Sequence, residues 1–138
     1  MELTVDAVNA MLAEHFPGAS AACVELGPDH AVASTTVASL SIRPGGYVSG
    51  PTQFGIADAA RWYATFVTIG RVEPMALTSE LSIRFLRPAQ GRRISALARV
   101  DTATRGSVVG SIQVWMDDAR DRPTAVAHTP PPWIATSL

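Results

Sequence analysis

The run GYVSGPTQFGIADAARWYATFVTIG, from Gly46 to Gly70, decides the fold. Its spacing predicts one long helix over Pro51 to Ile69. Proline is tolerated at a first helical position because its missing N–H would be unpaired there anyway. Ser49 or Gly50 supplies the N-cap, and Gly70 closes the other end. Phe54, Ile56, Trp62, Tyr63, Phe66, Val67 and Ile69 lie all around the cylinder, which predicts a helix buried on every side. In a small domain that requires a sheet wrapped around it. A single carboxylate, Asp58, stands in this apolar, small-residue run.

On either side of the helix the pattern changes. Val5 to Phe16 places Val5, Val8, Met11, Leu12 and Phe16 at helical spacing and stops before Pro17-Gly18. Ala21 to Leu26 and Ala31 to Ile42 are rich in Val, Thr, Ser and Ala, with Gly27-Pro28-Asp29 between them, and read as two strands joined by a turn. Arg43-Pro44-Gly45-Gly46 then breaks the chain. Beyond the long helix, Leu77, Leu81, Ile83 and Phe85 alternate with polar residues up to Arg87-Pro88. Ile94 to Thr104 and Ser107 to Asp117 form a hairpin pair, and a last short strand over Thr124 to Thr129 ends at three prolines. The order is helix, two strands, long helix, four strands. That is an α+β domain with an antiparallel sheet, spanning residues 1–138 as one unit.

Composition narrows the function. The chain has 138 residues, 47% of them apolar and 17% charged, enough to bury a real core. Net charge is −1, and all eleven cations are arginine. No broad basic face argues for nucleic acid. No run reaches the roughly 20 apolar residues needed to span a bilayer, so no membrane role is expected. The N-terminus lacks the layout of a signal peptide, which makes a cytoplasmic, reducing setting the expectation. Cys23 is the only cysteine, and His15, His30 and His128 are far apart. No metal site and no cofactor are therefore expected. Cys23 and His128 fall in apolar strand patterns and read as core residues.

Two stretches together carry a resemblance. RPGGYVSGPTQFGIADAA followed by TSELSIRFLRPAQG resembles the phenylacetate-type (PaaI-like) branch of the hotdog acyl-CoA thioesterases. Ala57-Asp58 and Phe85-Leu86-Arg87-Pro88 match that family's pattern as they stand. Ser49-Gly50-Pro51 replaces its usual His-Gly-Gly, and Arg43 stands where an Asn is usual. The resemblance implies the hotdog fold, a long central helix wrapped by an antiparallel sheet. It also implies hydrolysis of an acyl-CoA thioester, with Asp58 catalytic and the Gly50 N–H aimed at the thioester oxygen. Paired hotdogs with two sites at each dimer interface, often doubled to a tetramer, come with it.

The chemistry fits those residue types. A carboxylate can serve as general base on a water or attack the carbonyl itself. A desolvated acid keeps its basicity near neutral pH. The competing reading is an i,i+3 ion pair between Asp58 and Arg61 on an exposed helix face. Charge developing on oxygen calls for a preorganised donor, and a helix N-terminus at Gly50 offers one. Eight residues of helix span about 12 Å, so one carbonyl cannot sit within about 3 Å of both Asp58 and Gly50 of the same helix. Base and donor must come from different subunits, which makes a homodimer part of the mechanism.

The substrate-binding candidates are Ser49, Thr52, Arg43, Trp62 and Arg87. Trp62 shares the Asp58 face at i+4 and lines either an acyl pocket or the core. Thr52 donates near the helix start or supports the cap. Arg87, with Arg92 and Arg93, offers guanidinium forks to coenzyme A phosphates, unless the three simply face water. A non-catalytic hotdog that binds an acyl-CoA or similar ligand is the alternative function. A hotdog hydratase would need an Asp/His dyad that is not evident.

Overall fold

The structure is a computed structural model that describes residues 2–19, 21–40, 42–76, 80–104 and 107–129. Helix α1 runs from Val5 to His15, with the Thr4 hydroxyl accepting the Ala7 N–H at its start. Its Val8, Met11 and Leu12 face the core. Strands β1 (Ala22–Leu26) and β2 (His30–Thr36) form the first hairpin. A 3₁₀ turn over Val37–Ser39 carries the chain off the sheet earlier than expected. The small hairpin β3 (Ile42–Arg43) and β4 (Tyr47–Val48) then leads to α2 (Gly50–Ile69). The Arg-Pro-Gly-Gly break is the turn of that hairpin. Gly45 and Gly46 both adopt positive φ there, 90° and 81°, which glycine alone adopts at little cost.

After α2 come β5 (Ser82–Phe85), β6 (Arg93–Thr104), β7 (Ser107–Met116) and β8 (Ala125–Thr129). The strand expected from Leu77 is thus short, and residues 77–79 lie outside the described residues, as do 105–106 at the β6–β7 join. The six long-sheet strands are ordered β1-β2-β6-β7-β8-β5, every neighbouring pair antiparallel. The expected α+β hotdog architecture is present: a long helix on a curved antiparallel sheet.

Small side chains set how closely helix and sheet approach. Ala57, Ala60 and Ala64 on α2 are fully buried, as are Ala31, Ala33, Ala96, Ala98, Ala125 and Ala127 on the strands. Tyr63 and Phe66 fill the remaining space against Ile94, Ile112 and Val114. Each such large side chain contributes about 1.5–3 kcal/mol by leaving water. The Tyr63 hydroxyl, buried with its ring, donates to the Ala21 carbonyl at 2.6 Å. Cys23 lies in the core as expected. His128 does not: it is exposed, because the alternation along β8 buries Ala127 and Thr129 and turns His128 to the other face.

Burial of α2 on every side is not reached within one chain. Its sheet-facing residues are buried, but Phe54 is 38% exposed and Asp58 and Trp62 are half-buried. These three recur at i, i+4 and i+8, one straight stripe that the sheet leaves open. That stripe is where the site lies.

Candidate active site

The N-terminus of α2 is capped by Ser49. Its Oγ accepts the Thr52 N–H at 3.3 Å and shares a 3.0 Å hydrogen bond with the Thr52 hydroxyl. Both candidate substrate ligands are therefore engaged in the cap. Gly50 occupies the first helical position, so its N–H is one of the donors a helix leaves unpaired. A Cβ added at Gly50 would stand 3.0 Å from the half-exposed Phe85 ring, a tight contact that a small shift of that ring relieves.

Gln53, which the sequence reading passed over, ties this end of the helix down. Its amide donates to the Val48 carbonyl at 3.4 Å, and its Oε1 accepts the Thr124 hydroxyl at 2.8 Å. The signal was available: a lone amide in an apolar helix, one turn past the cap, is tolerable in a core only when hydrogen-bonded.

About two turns beyond Gly50, Asp58 projects from the open stripe with its side chain 51% exposed. Arg61 Nη2 donates to Asp58 Oδ1 at 2.5 Å, so the i,i+3 pair weighed above does form. It differs from a surface pair in one respect. The Arg61 side chain is only 6% exposed, and its Nη1 donates to the Glu80 carbonyl at 2.6 Å. Burial lowers the Arg61 pKa from its ordinary value, while the Asp58 carboxylate pulls it back up. The second Asp58 oxygen, Oδ2, makes no hydrogen bond among the described residues.

Asp58 opens onto a cavity of ≈ 710 Å³. Met11 of α1, Phe16 just past its end, Phe54 and Trp62 of α2, and Met75 supply its apolar walls. Trp62 is held in place by its indole N–H, which donates to the Ala76 carbonyl at 3.0 Å, and by tilted contacts with Phe16 and Phe66. Of the seven candidate residues, the structure gathers Asp58 and Trp62 at this cavity. Ser49, Gly50, Thr52, Arg43 and Arg87 do not line it.

The arginines are dispersed. Arg43 is exposed on β3 opposite Tyr47. Arg87 reaches the Pro123 carbonyl at 2.5 Å, and Arg93 reaches the Ser34 hydroxyl at 2.9 Å. In the sheet β7 and β8 separate β6 from β5, about 14 Å at the usual strand spacing. Arg87 and Arg93 thus form no common anion site within the chain. The shared strand-end position suggested by their nearness in sequence is undone by the strand order.

An antiparallel sheet curled on a long helix, with a carboxylate on the helix's open stripe, defines a hotdog-type protein with an acidic site. The Thioesterase superfamily profile matches residues 45–122, and the chain belongs to that family. None of the curated proteins matches it. Among solved structures, a candidate thioesterase from Silicibacter sp. superposes with a TM-score of 0.76 at 29% identity, covering 94% of this chain and 93% of its own. A thioesterase from Haemophilus influenzae gives 0.77 at 16% identity over 94% and 89% of the two chains. The PaaI protein of the E. coli phenylacetic acid degradation operon gives 0.67 at 19% over 90% and 88%. The last two likenesses concern the fold. Among the described residues no helix is long and apolar enough to cross a membrane.

Proposed function

We propose that this chain is an acyl-CoA thioesterase that works as a homodimer or a dimer of dimers. The observation that carries the reading is the Asp58 carboxylate: on the central helix of a thioesterase-family fold, it opens onto an apolar cavity with one oxygen unengaged among the described residues. Two routes use it. As general base, Oδ2 takes a proton from a water whose oxygen attacks the thioester carbonyl. As nucleophile, it attacks directly to give an anhydride that water then opens. In either route the Gly50 N–H of the partner subunit receives the carbonyl oxygen's charge. In the first route the tetrahedral adduct collapses, the carbon–sulfur bond breaks and the leaving sulfur takes the proton held by Asp58. In the second the carbon–sulfur bond breaks as the anhydride forms, and the water that opens the anhydride supplies the proton.

The surface near Gly50 supports a second copy as the source of the missing half-site. Ile42, Tyr47, Phe54, Phe85 and Leu86 are each 38–50% exposed around the start of α2, and β5 is an edge strand. Exposed apolar residues beside an open strand edge favour pairing with another chain.

The second reading, a protein that binds an acyl-CoA without cleaving it, draws on the Asp58–Arg61 pair, since an acid already paired needs no chemical role. Asp58→Asn separates the two. In a free-thiol release assay over a panel of acetyl-, octanoyl- and benzoyl-CoA, hydrolysis by the wild-type chain is expected. Its kcat should fall at least about 100-fold in the Asn variant, with fold and oligomer size retained and a lower melting temperature, because the buried Arg61 loses its counter-charge. Undiminished turnover in a folded Asp58→Asn protein would sink the enzyme assignment of Asp58. Saturable binding without thiol release by the wild type would favour the binder.

A further inference from the structure

Arg61 is the only cation on α2 and Asp58 the only anion. The neighbouring buried positions on the same helix are Ala57, Ala60 and Ala64, so an uncharged residue would pack at Arg61 without the cost of desolvating a guanidinium. Arginine's planar fork makes two directed bonds at fixed angles. One, Nη1 to the Glu80 carbonyl, anchors the guanidinium to the segment leading into β5. The other, Nη2 to Asp58 Oδ1, holds a side chain that would otherwise turn freely on a half-open helix face. Arg61, buried and anchored at the Glu80 carbonyl, is the fixed partner; the exposed Asp58 is the one being held.

From this geometry we infer that Arg61 is a positioning residue. It fixes the Asp58 carboxylate through Oδ1 so that Oδ2 is the oxygen presented to water or thioester in the cavity. The inference rests on the reading of Asp58 as the reacting carboxylate. Arg61 also lines the cavity, but its guanidinium is buried, and in this role it acts through Asp58. It therefore affects the chemical step rather than substrate binding, and its effect disappears when Asp58 can no longer react.

A double-mutant cycle tests both points, using whichever of acetyl-, octanoyl- and benzoyl-CoA the wild-type chain hydrolyses fastest. Arg61→Met should lower kcat by roughly 10- to 100-fold, the scale of an angstrom-sized misplacement of a reacting group, with KM within about twofold. Arg61→Lys restores a charge at Oδ1 but cannot hold both acceptors, so its kcat should lie between the Met variant and wild type. In the Asp58→Asn background either Arg61 change should alter the residual rate by less than about twofold.

A folded Arg61→Met enzyme with wild-type kcat would overturn the inference, as would an equal loss in both backgrounds. Should Arg61→Met fail to fold, Arg61→Lys decides. A kcat loss present with Asp58 intact and absent in the Asp58→Asn background supports positioning, and any other pattern overturns it. An Asp58→Asn enzyme that keeps full kcat, or a wild type that hydrolyses none of the three, counts against the function itself and the inference with it. A dead Asp58→Asn beside an indifferent Arg61→Met removes the inference alone.

Discussion

Burial pushes the Cys23 thiol up from its ordinary 9.0 to about 11, with a backbone hydrogen bond at Glu25 pulling the other way. The residue is walled in by core alanines, and the Asn9 amide brackets its backbone: Nδ2 donates to the Cys23 carbonyl at 2.8 Å, and Oδ1 accepts its N–H at 2.9 Å. A thiol with so high a pKa holds its proton more tightly folded than unfolded. The stability linked to it is therefore complete below about pH 9 and is lost as pH rises from about 9 through about 11. Tyr63, whose hydroxyl is also raised by burial, adds to the same alkaline loss. Two outcomes follow. Iodoacetamide at pH 8 should label Cys23 at least about 100-fold more slowly in the native protein than in guanidinium. The melting temperature should fall steeply above pH 9, and less steeply in Cys23→Ala. Equal labelling rates in the two states would show the thiol is not sequestered.

Among the elements, α2 has the most to do. It packs its alanine face on the sheet, leaves its acidic stripe open and puts Gly50 at its first position, where an N–H has no partner within the helix. Ser49 sets where the helix begins. Ser49→Ala removes the acceptor for the Thr52 N–H and should destabilise the protein by about 1 kcal/mol. In a chain of this length that is a fall of about 3–5 °C in melting temperature. Ser49→Asp supplies a carboxylate oxygen to the same N–H and should melt within a degree or two of wild type. If instead both variants melted normally and both raised KM several-fold, Ser49 would be a substrate ligand rather than a cap.

On the scale of the whole molecule, the question is what completes the site. Asp58 and Gly50 stand eight residues apart on one helix, about 12 Å, and only Asp58 reaches the cavity. If the donor comes from a second copy, two dead variants should rescue each other. In a heterodimer of Asp58→Ala and Gly50→Pro, one site carries both lesions and the other carries none. Doubly tagged heterodimers should regain about half the wild-type activity per dimer while each parent stays nearly inactive. Gly50→Ala is the control. It meets the Phe85 ring at the same 3.0 Å but keeps its N–H, so the difference between Ala and Pro isolates the donor. Heterodimers as inactive as their parents, with normal circular dichroism, would mean the site is not shared.

Local chemistry makes much of this legible in the sequence. The helix from Ser49 to Gly70 follows from a serine cap, a proline early in the first turn and a glycine whose φ of 88° ends it. The strand hairpins follow from alternation and turn residues, and Asp58 stands out as the one carboxylate in an apolar, small-residue helix. Period-two and period-3.6 patterns report which faces of an element are apolar, and that is a property of the chain alone. What covers each face is not. Only the tertiary structure left the 54, 58 and 62 stripe open, sent Arg87 and Arg93 to different places, and turned His128 outward. Only it buried Arg61 between Asp58 and a carbonyl nineteen residues away. Those outcomes depend on strand order and sheet curvature, which bring distant residues together by packing the whole chain at once. The sequence by itself placed Arg61 three residues after Asp58, where the two can pair. Folding decided that this arginine is buried and anchored at a distant carbonyl, because packing the whole chain brings Glu80 to it.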